Sequence, residues 1–253
     1  MTHIDLNCDM GEMPDAVFDG TQESLMPSLT SVNIACGGHA GDARTMRATV
    51  EQALRWHLAI GAHPGYADRA NFGRLELHLP PEAVADAVLG QVRTLADIAA
   101  NCGASLTHVK PHGALYNQAV KNRVLARAIA DGVARWNREV VLVGLAGSTM
   151  LDVFREVGFR AAAEGFADRR YEADGTLRSR KFSDALIRDP AEAARQALSI
   201  ATRGKVIASN GVEIAVDAHT ICIHGDTPGA PEIARAVAHT LRQAGVELKP
   251  LSC

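Results

Sequence analysis

His108-Val109-Lys110-Pro111-His112-Gly113-Ala114-Leu115-Tyr116-Asn117 is the stretch on which the reading of the fold turns. An apolar-alternating run starting at Leu106 enters it. Proline cannot continue a central strand and disfavours helix at the residue before it, so the run ends near Lys110 and a helix opens beyond Pro111. With a period of two, His108 and Lys110 share one face, opposite Thr107 and Val109. An apolar core would not choose an imidazole and an ammonium at a buried strand end. The stretch is either a solvated basic turn or one wall of a site, and the recurrence of its pattern elsewhere favours the site. His112 lies past Pro111, at the rim where a substrate would arrive.

Outward from this turn the same rhythm repeats. Short apolar runs at 4–7, 31–35, 58–62, 106–109, 140–143, 160–163 and 220–223 alternate with helical-period segments at 42–56, 81–101, 116–136, 148–157, 190–203 and 228–243. Asp42 and Ser148 read as N-caps, Pro81 and Pro190 as first-turn residues, and Gly103 and Gly245 as stops. Strands alternating with helices of this length predict βα units around a parallel sheet. Seven such units in 253 residues without a linker predict one α/β domain over 1–253, a closed or nearly closed (β/α) barrel, with a doubly wound open sheet as the alternative. Asn210-Gly211 between two short apolar runs predicts a β-hairpin insert at about 205–216. The long charged segment 164–188 is expected to be a solvated loop or a lid.

Composition narrows the function classes. A net charge of −3 gives no basic footprint for nucleic acid, and an aromatic content of 4% argues against base-stacking platforms. Cys8, Cys36, Cys102, Cys222 and Cys253 are dispersed without C-x-x-C spacing, which predicts reduced thiols in a cytoplasmic protein. Neither a signal-like N-terminus nor a bilayer-length apolar run is present, so no membrane partner is expected.

The strand ends carry the chemistry. Asp5, Asn7 and Asp9 alternate with Leu6; Asn33 leads into Cys36-Gly37-Gly38-His39-Ala40-Gly41-Asp42; the third run ends at His63; the fourth offers His108 and Lys110; the last offers Cys222, His224 and Asp226. Five strand ends bearing Asp, Asn, His or Lys predict a catalytic centre at the C-terminal edge, where α/β sites are built. Glycines at 37, 38 and 41 permit close backbone approach, and a helix N-terminus near Asp42 offers amides to an anion; a plain tight turn fits equally well. No Walker loop occurs, and Gly144–Thr149 lacks its lysine. Asp9, His39 and His63, from three successive strand ends, suit a divalent metal, but hydrogen-bonded acid–base groups suit the same residues, and both readings stay open. No G-x-S-x-G elbow exists, and Cys8, Cys36 and Cys222 read as small buried hydrophobes. His3, His57, His78 and His239 read as surface. Arg69 and Arg74, and the Asp168-Arg169-Arg170 loop, are either local ion pairs or forks for a carboxylate or phosphate.

Taken as blocks, Asp5–Glu12, Asn33–Asp42, Gly61-Ala-His-Pro64 with Asp68-Arg69 and Phe72-Gly-Arg74, His108–Gly113 with Leu115-Tyr-Asn117, and Ile223–Gly229 resemble the LamB/YcsF family of prokaryotic 5-oxoprolinase A subunits. The resemblance runs from about Ile4 to Gly245. Gly38 stands where the family usually has Phe, Ala67 where it has Pro, and a Gly is expected near Asp184; these departures touch loop shape. The resemblance implies a deformed seven-stranded (β/α) barrel of the glycoside hydrolase/deacetylase kind. It further implies ATP-dependent hydrolytic opening of 5-oxo-L-proline to L-glutamate, with separate B and C subunits and ATP bound at a place this sequence does not locate. Roles follow from chemistry: Asp9 or His112 as general base, Lys110 with the amides of Gly37, Gly38 and His39 for developing negative charge or phosphate, and His63 and His224 to orient water or protonate the leaving nitrogen. Arg69 or Arg74 would bind the carboxylate, with Asn7, Asp42, Asn117 and Asp226 completing the substrate and phosphate contacts. The alternatives are a metal-dependent amidase or deacetylase of the same barrel, and a non-catalytic lactam-binding subunit, which so dense a titratable cluster disfavours.

Overall fold

The computed structural model describes residues 3–227 and 229–251. Strand β1 (His3–Met10) pairs in parallel with β2 (Ser31–Ala35), and the ladder continues through β3 (Ala59–His63), β4 (Leu106–Val109), β5 (Val141–Leu145) and β6 (Ala161–Phe166). The antiparallel hairpin β7 (Lys205–Ile207) and β8 (Glu213–Ala215) follows, at the predicted Asn-Gly turn. Strand β9 (Thr220–His224) then pairs with both β6 and β1, which closes a seven-stranded parallel barrel. A two-residue strand, β10 (Glu247–Leu248), adds to the first residues of β1. The helices are α1 (Pro14–Phe18), α2 (Ala43–Arg55), α3 (Pro81–Asn101), α4 (Gly113–Ala119), α5 (Arg123–Ala134), α6 (Thr149–Glu156), α7 (Pro190–Arg203) and α8 (Ala230–Gln243). None of the helices described is long and apolar enough to cross a membrane.

Two-residue alternation sorts each strand. Leu6, Cys8, Val32, Ile34, Val109, Leu142 and Ile221 join the apolar core with Met46, Val50, Val88, Val92, Ile129 and Val237 of the helices. Each aliphatic side chain so buried contributes about 1.5–3 kcal/mol. The alternate residues are polar and bond to one another. Asp5 accepts from Thr30 Oγ1 at 2.6 Å, Ser31 Oγ at 2.9 Å and the Thr220 hydroxyl, while Asn33 Nδ2 donates to Asn7 Oδ1 at 2.8 Å. The barrel interior is thus a hydrogen-bonded column that leads to the C-terminal mouth.

Local signals place most elements. Asp42 caps α2 in a full capping box with Thr45, and Pro81 and Pro190 open α3 and α7. Ser148 holds the N-cap position of α6, yet its hydroxyl is buried without a partner and makes no cap bond. Three expectations need correction. The segment expected as one helix at 116–136 is two, α4 and α5, because Asn122 Oδ1 accepts from Leu125 N at 3.1 Å and starts a new helix. Strand β6 runs on to Phe166, so Glu164 is a fully buried strand residue and not the start of a solvated loop. Strand β1 extends to Met10, and α1 and a 3-10 turn at Glu23–Ser28 follow it without a strong signal in the sequence. The expected helix start at Pro228 and the thiol of Cys253 lie outside the described residues.

Candidate functional site

At the centre of the mouth stands Lys110, delivered by the end of β4. Its Nζ lies 2.9 Å from Asp9 Oδ1, 2.8 Å from Glu164 Oε1, 3.1 Å from Cys222 Sγ and 3.3 Å from Asn7 Oδ1. An ammonium has three protons, so these acceptors use its full capacity. Burial would lower its pKa, but Asp9, Cys222 and Glu164 outweigh this and hold it well above the usual value. Burial likewise would raise Asp9, and His63 and Lys110 beside it hold the carboxyl well below the usual range. Lys110, expected to meet developing negative charge, is paired here with the carboxylates of Asp9 and Glu164. Glu164 Oε2 also accepts from the Tyr116 hydroxyl at 2.9 Å, and Asn33 Nδ2 donates to Asp9 Oδ1 at 2.9 Å.

Above this ion group lies a ring of imidazoles around Glu12. Glu12 Oε1 is 3.0 Å from His39 Nε2, 3.2 Å from His112 Nδ1 and 3.9 Å from His63 Nε2. His39 and His112 stack with ring centroids 3.5 Å apart, and His63 meets both edge-on. Burial pushes His39 down to about 4 against the pull of Glu12, and lowers His112 in the same way. His112 and His39 beside it overcome the effect of burial on Glu12 and hold it well below the carboxylate range. One donor atom from each of Glu12, His39, His63 and His112 lies within 4.8 Å of the others, a carboxylate and imidazole set suited to a transition metal. Of the metal set expected from sequence, His39 and His63 belong to this group; Asp9 sits beside it, with its Oδ2 3.3 Å from His63 Nε2.

The third part of the mouth comes from β9 and the loop after β6. His224 Nδ1 lies 2.9 Å from Asp168 Oδ1, and its backbone N–H donates to Asp168 Oδ2 at 3.0 Å. Burial would raise Asp168, but His224 outweighs it and holds the carboxyl below its usual value. This fixes the Nδ1–H tautomer and leaves Nε2 as the reactive nitrogen. Ligand atoms of Asp9, Cys222 and His224 also fall within 4.8 Å of one another. Beside them Asp226 is bridged by Arg74 at 2.6 Å and Arg180 at 3.1 Å. Arg169 is buried with its Nε unpaired, and burial together with Arg180 lowers it to about 10.

Several expected contacts are placed elsewhere. The Asp42 carboxylate is engaged in the capping box, where it accepts from the amides of Arg44 and Thr45 at the α2 N-terminus. Gly37 N–H donates to Ala40 O at 2.8 Å, and a Cβ at Gly38 would come within 2.6 Å of Gly65 O, so this loop is a tightly packed turn. Arg69 braces it, donating to the carbonyls of Gly37 and Gly41. Asn117 is exposed on α4. His108, set deeper, lies with Nε2 2.8 Å from Asn33 Oδ1, and burial lowers it to about 3. Burial also pushes the Cys36 thiol up to about 12, which fits an inert buried cysteine. A groove of about 340 Å³ between α3, α5 and α6 lies apart from this mouth.

Sequence reasoning missed Glu12, Glu164, Asp168, Tyr116 and Arg180. Glu12 follows a glycine at φ 75° just past a strand end, which is a site-like position.

The sequence matches the LamB/YcsF family over residues 4–253. It is 49% identical to the A subunit of 5-oxoprolinase from Chloroflexus aggregans, over 98% of this chain and 99% of that protein. A lactam utilization protein from Thermus thermophilus superposes with a TM-score of 0.91 at 42% identity, covering 98% of this chain and 100% of that one. A family 4 carbohydrate esterase from Streptomyces lividans shares the fold, with a TM-score of 0.54 at 11% identity over 99% of this chain and 93% of that one.

Proposed function

This chain belongs to the LamB/YcsF family, and from that premise we propose that it opens the lactam ring of 5-oxo-L-proline to give L-glutamate, acting in the cytoplasm as an A subunit with separate B and C subunits and with ATP as cosubstrate. What supports the reading most is near-full-length similarity, at about half identity, to proteins named for that activity. The mouth of the barrel is chemically suited to it. A five-membered lactam is unreactive, and ring closure competes with opening. Transfer of a phosphoryl group from ATP to the lactam oxygen, releasing ADP, makes the ring carbon electrophilic. Water adds to that carbon, the ring C–N bond breaks with protonation of nitrogen, and the resulting acyl phosphate is hydrolysed to glutamate and phosphate.

In this reading His224 Nε2, backed by Asp168, takes the proton from water and returns one to the leaving nitrogen. Asp9, whose Oδ1 accepts from both Lys110 and Asn33, serves as fixed negative charge more readily than as a base. Arg74 and Arg180 form the carboxylate clamp, with Asp226 as their resting partner. The test is to measure glutamate and ADP from 5-oxoproline with this chain alone and with its B and C partners, with and without chelator. Equimolar glutamate and ADP from the complete set only is the expected result. Glutamate from the isolated chain without ATP would replace this reading with a metal-dependent amidase.

A further inference from the structure

Hydrogen-bond bookkeeping in the imidazole ring leaves an unsatisfied convergence of lone pairs. His63 Nδ1 lies 2.7 Å from the Lys110 carbonyl, and His112 Nε2 lies 2.9 Å from the Phe72 carbonyl. A carbonyl only accepts, so each of these nitrogens carries the proton. In a neutral ring the other nitrogen is then a bare lone pair. Yet His63 Nε2 and His112 Nδ1 face each other at 3.0 Å. Around them stand Glu12 Oε1, 3.2 Å from His112, and Asp9 Oδ2, 3.3 Å from His63. Four acceptor atoms meet in a buried space, and the donor beside them, His39 Nε2–H, reaches Glu12 alone.

Lys110 bridges Asp9 and Glu164 and makes no contact with Glu12, whose near neighbours are the imidazoles. One shared proton would satisfy one pair of the converging atoms, whereas a divalent cation would use every lone pair. The rings cannot turn away to relieve the contact. A Cβ at Gly65 would lie 2.8 Å from His39 Nδ1, and one at Gly73 would lie 2.7 Å from His39 Cβ and 3.1 Å from His112 Cδ2, so two glycine backbones wall the stack. Phe72, whose carbonyl aims His112, sits at φ 55°, a strained value for a non-glycine residue. Imidazoles oriented by carbonyls on their outer nitrogens are the arrangement that metal ligands take.

We propose that His63 Nε2, His112 Nδ1 and Glu12, with Asp9 as the fourth donor, hold one divalent transition-metal ion of the zinc or cobalt class. His39 is not a ligand in this assignment. Its Nε2–H donates to Glu12, and the unpartnered Nδ1 then buries a lone pair and no proton. It is a positioning residue for the carboxylate. When bound, the ion supplies Lewis-acid polarisation of a carbonyl or phosphoryl oxygen at the mouth.

The site is independent of the ring-opening reading, because its test needs no turnover. The full chain, stripped with chelator, is titrated with Co²⁺ alone by calorimetry and visible absorption, and with Zn²⁺ by thermal shift. One equivalent of Co²⁺ with ligand-field bands, and a Tm raised by Zn²⁺, are expected. His112→Gln and Glu12→Gln, each verified as folded by circular dichroism, should weaken binding by at least ~100-fold, and His39→Gln by ~10–100-fold as an outer partner does. No saturable binding by the folded wild-type chain would overturn the proposal. So would binding that His224→Asn abolishes and His112→Gln leaves intact, since the ion would then sit among Asp9, Cys222 and His224.

Discussion

Lys110 shows how burial changes a residue's job. Read in sequence, it is a free cation for phosphate; in the fold, it is enclosed by acceptors at 2.8–3.3 Å. Removing it strands two buried carboxylates, and breaking a buried ion pair from one side costs about 3–5 kcal/mol. Lys110→Met is therefore expected to lower unfolding free energy by about that amount in urea titration; a folded, near-wild-type stability would return Lys110 to the role of free cation. His108 carries a pH dependence. Its folded pKa, near 3, lies below the ordinary 6.5, so the unfolded chain takes up the proton first as pH falls. The neutral ring's contribution is complete above about pH 6.5 and is lost at about 1.4 kcal/mol per pH unit on the way down towards its folded value. Denaturant titrations at about pH 7 and pH 5 should show this slope, and His108→Phe should flatten it by that share.

At the scale of elements, the turns decide which strand-end residues reach the mouth. Asp42 tests this directly, because the anion-site and capping readings make opposite predictions. As a cap, Asp42→Ala should cost about 1 kcal/mol of stability and leave substrate affinity of the assembled enzyme unchanged; a raised KM with unchanged stability would support a binding role instead. The seven strands were legible because period-two runs bounded by caps and prolines recur at regular spacing. The ends of strands were less legible. Glu164 looked like the beginning of a charged loop, since its partners Lys110 and Tyr116 come from another strand and its following helix. Asp168 looked like half of a local pair with Arg169, whereas its partner is His224, 56 residues away. Sequence adjacency gave the wrong partner because barrel closure brings β6 and β9 together only in three dimensions.

The whole molecule gathers its site by closing the sheet. Register pairs Asp9 with both Asn33 and His224, so the first, second and last core strands meet at one level, and β3 and β4 add His63 and Lys110 beside them. The residue types at that level were visible from the sequence; the division into a buried ion group, an imidazole ring and an Asp–His pair was not, since it depends on distances. With His224 as the proton carrier of ring opening at this mouth, the assembled enzyme carrying His224→Asn, its assembly checked by size-exclusion chromatography, should form glutamate from 5-oxoproline ~100-fold or more slowly, the usual contribution of a general base. Wild-type turnover in a complex that still assembles would remove His224 from that role.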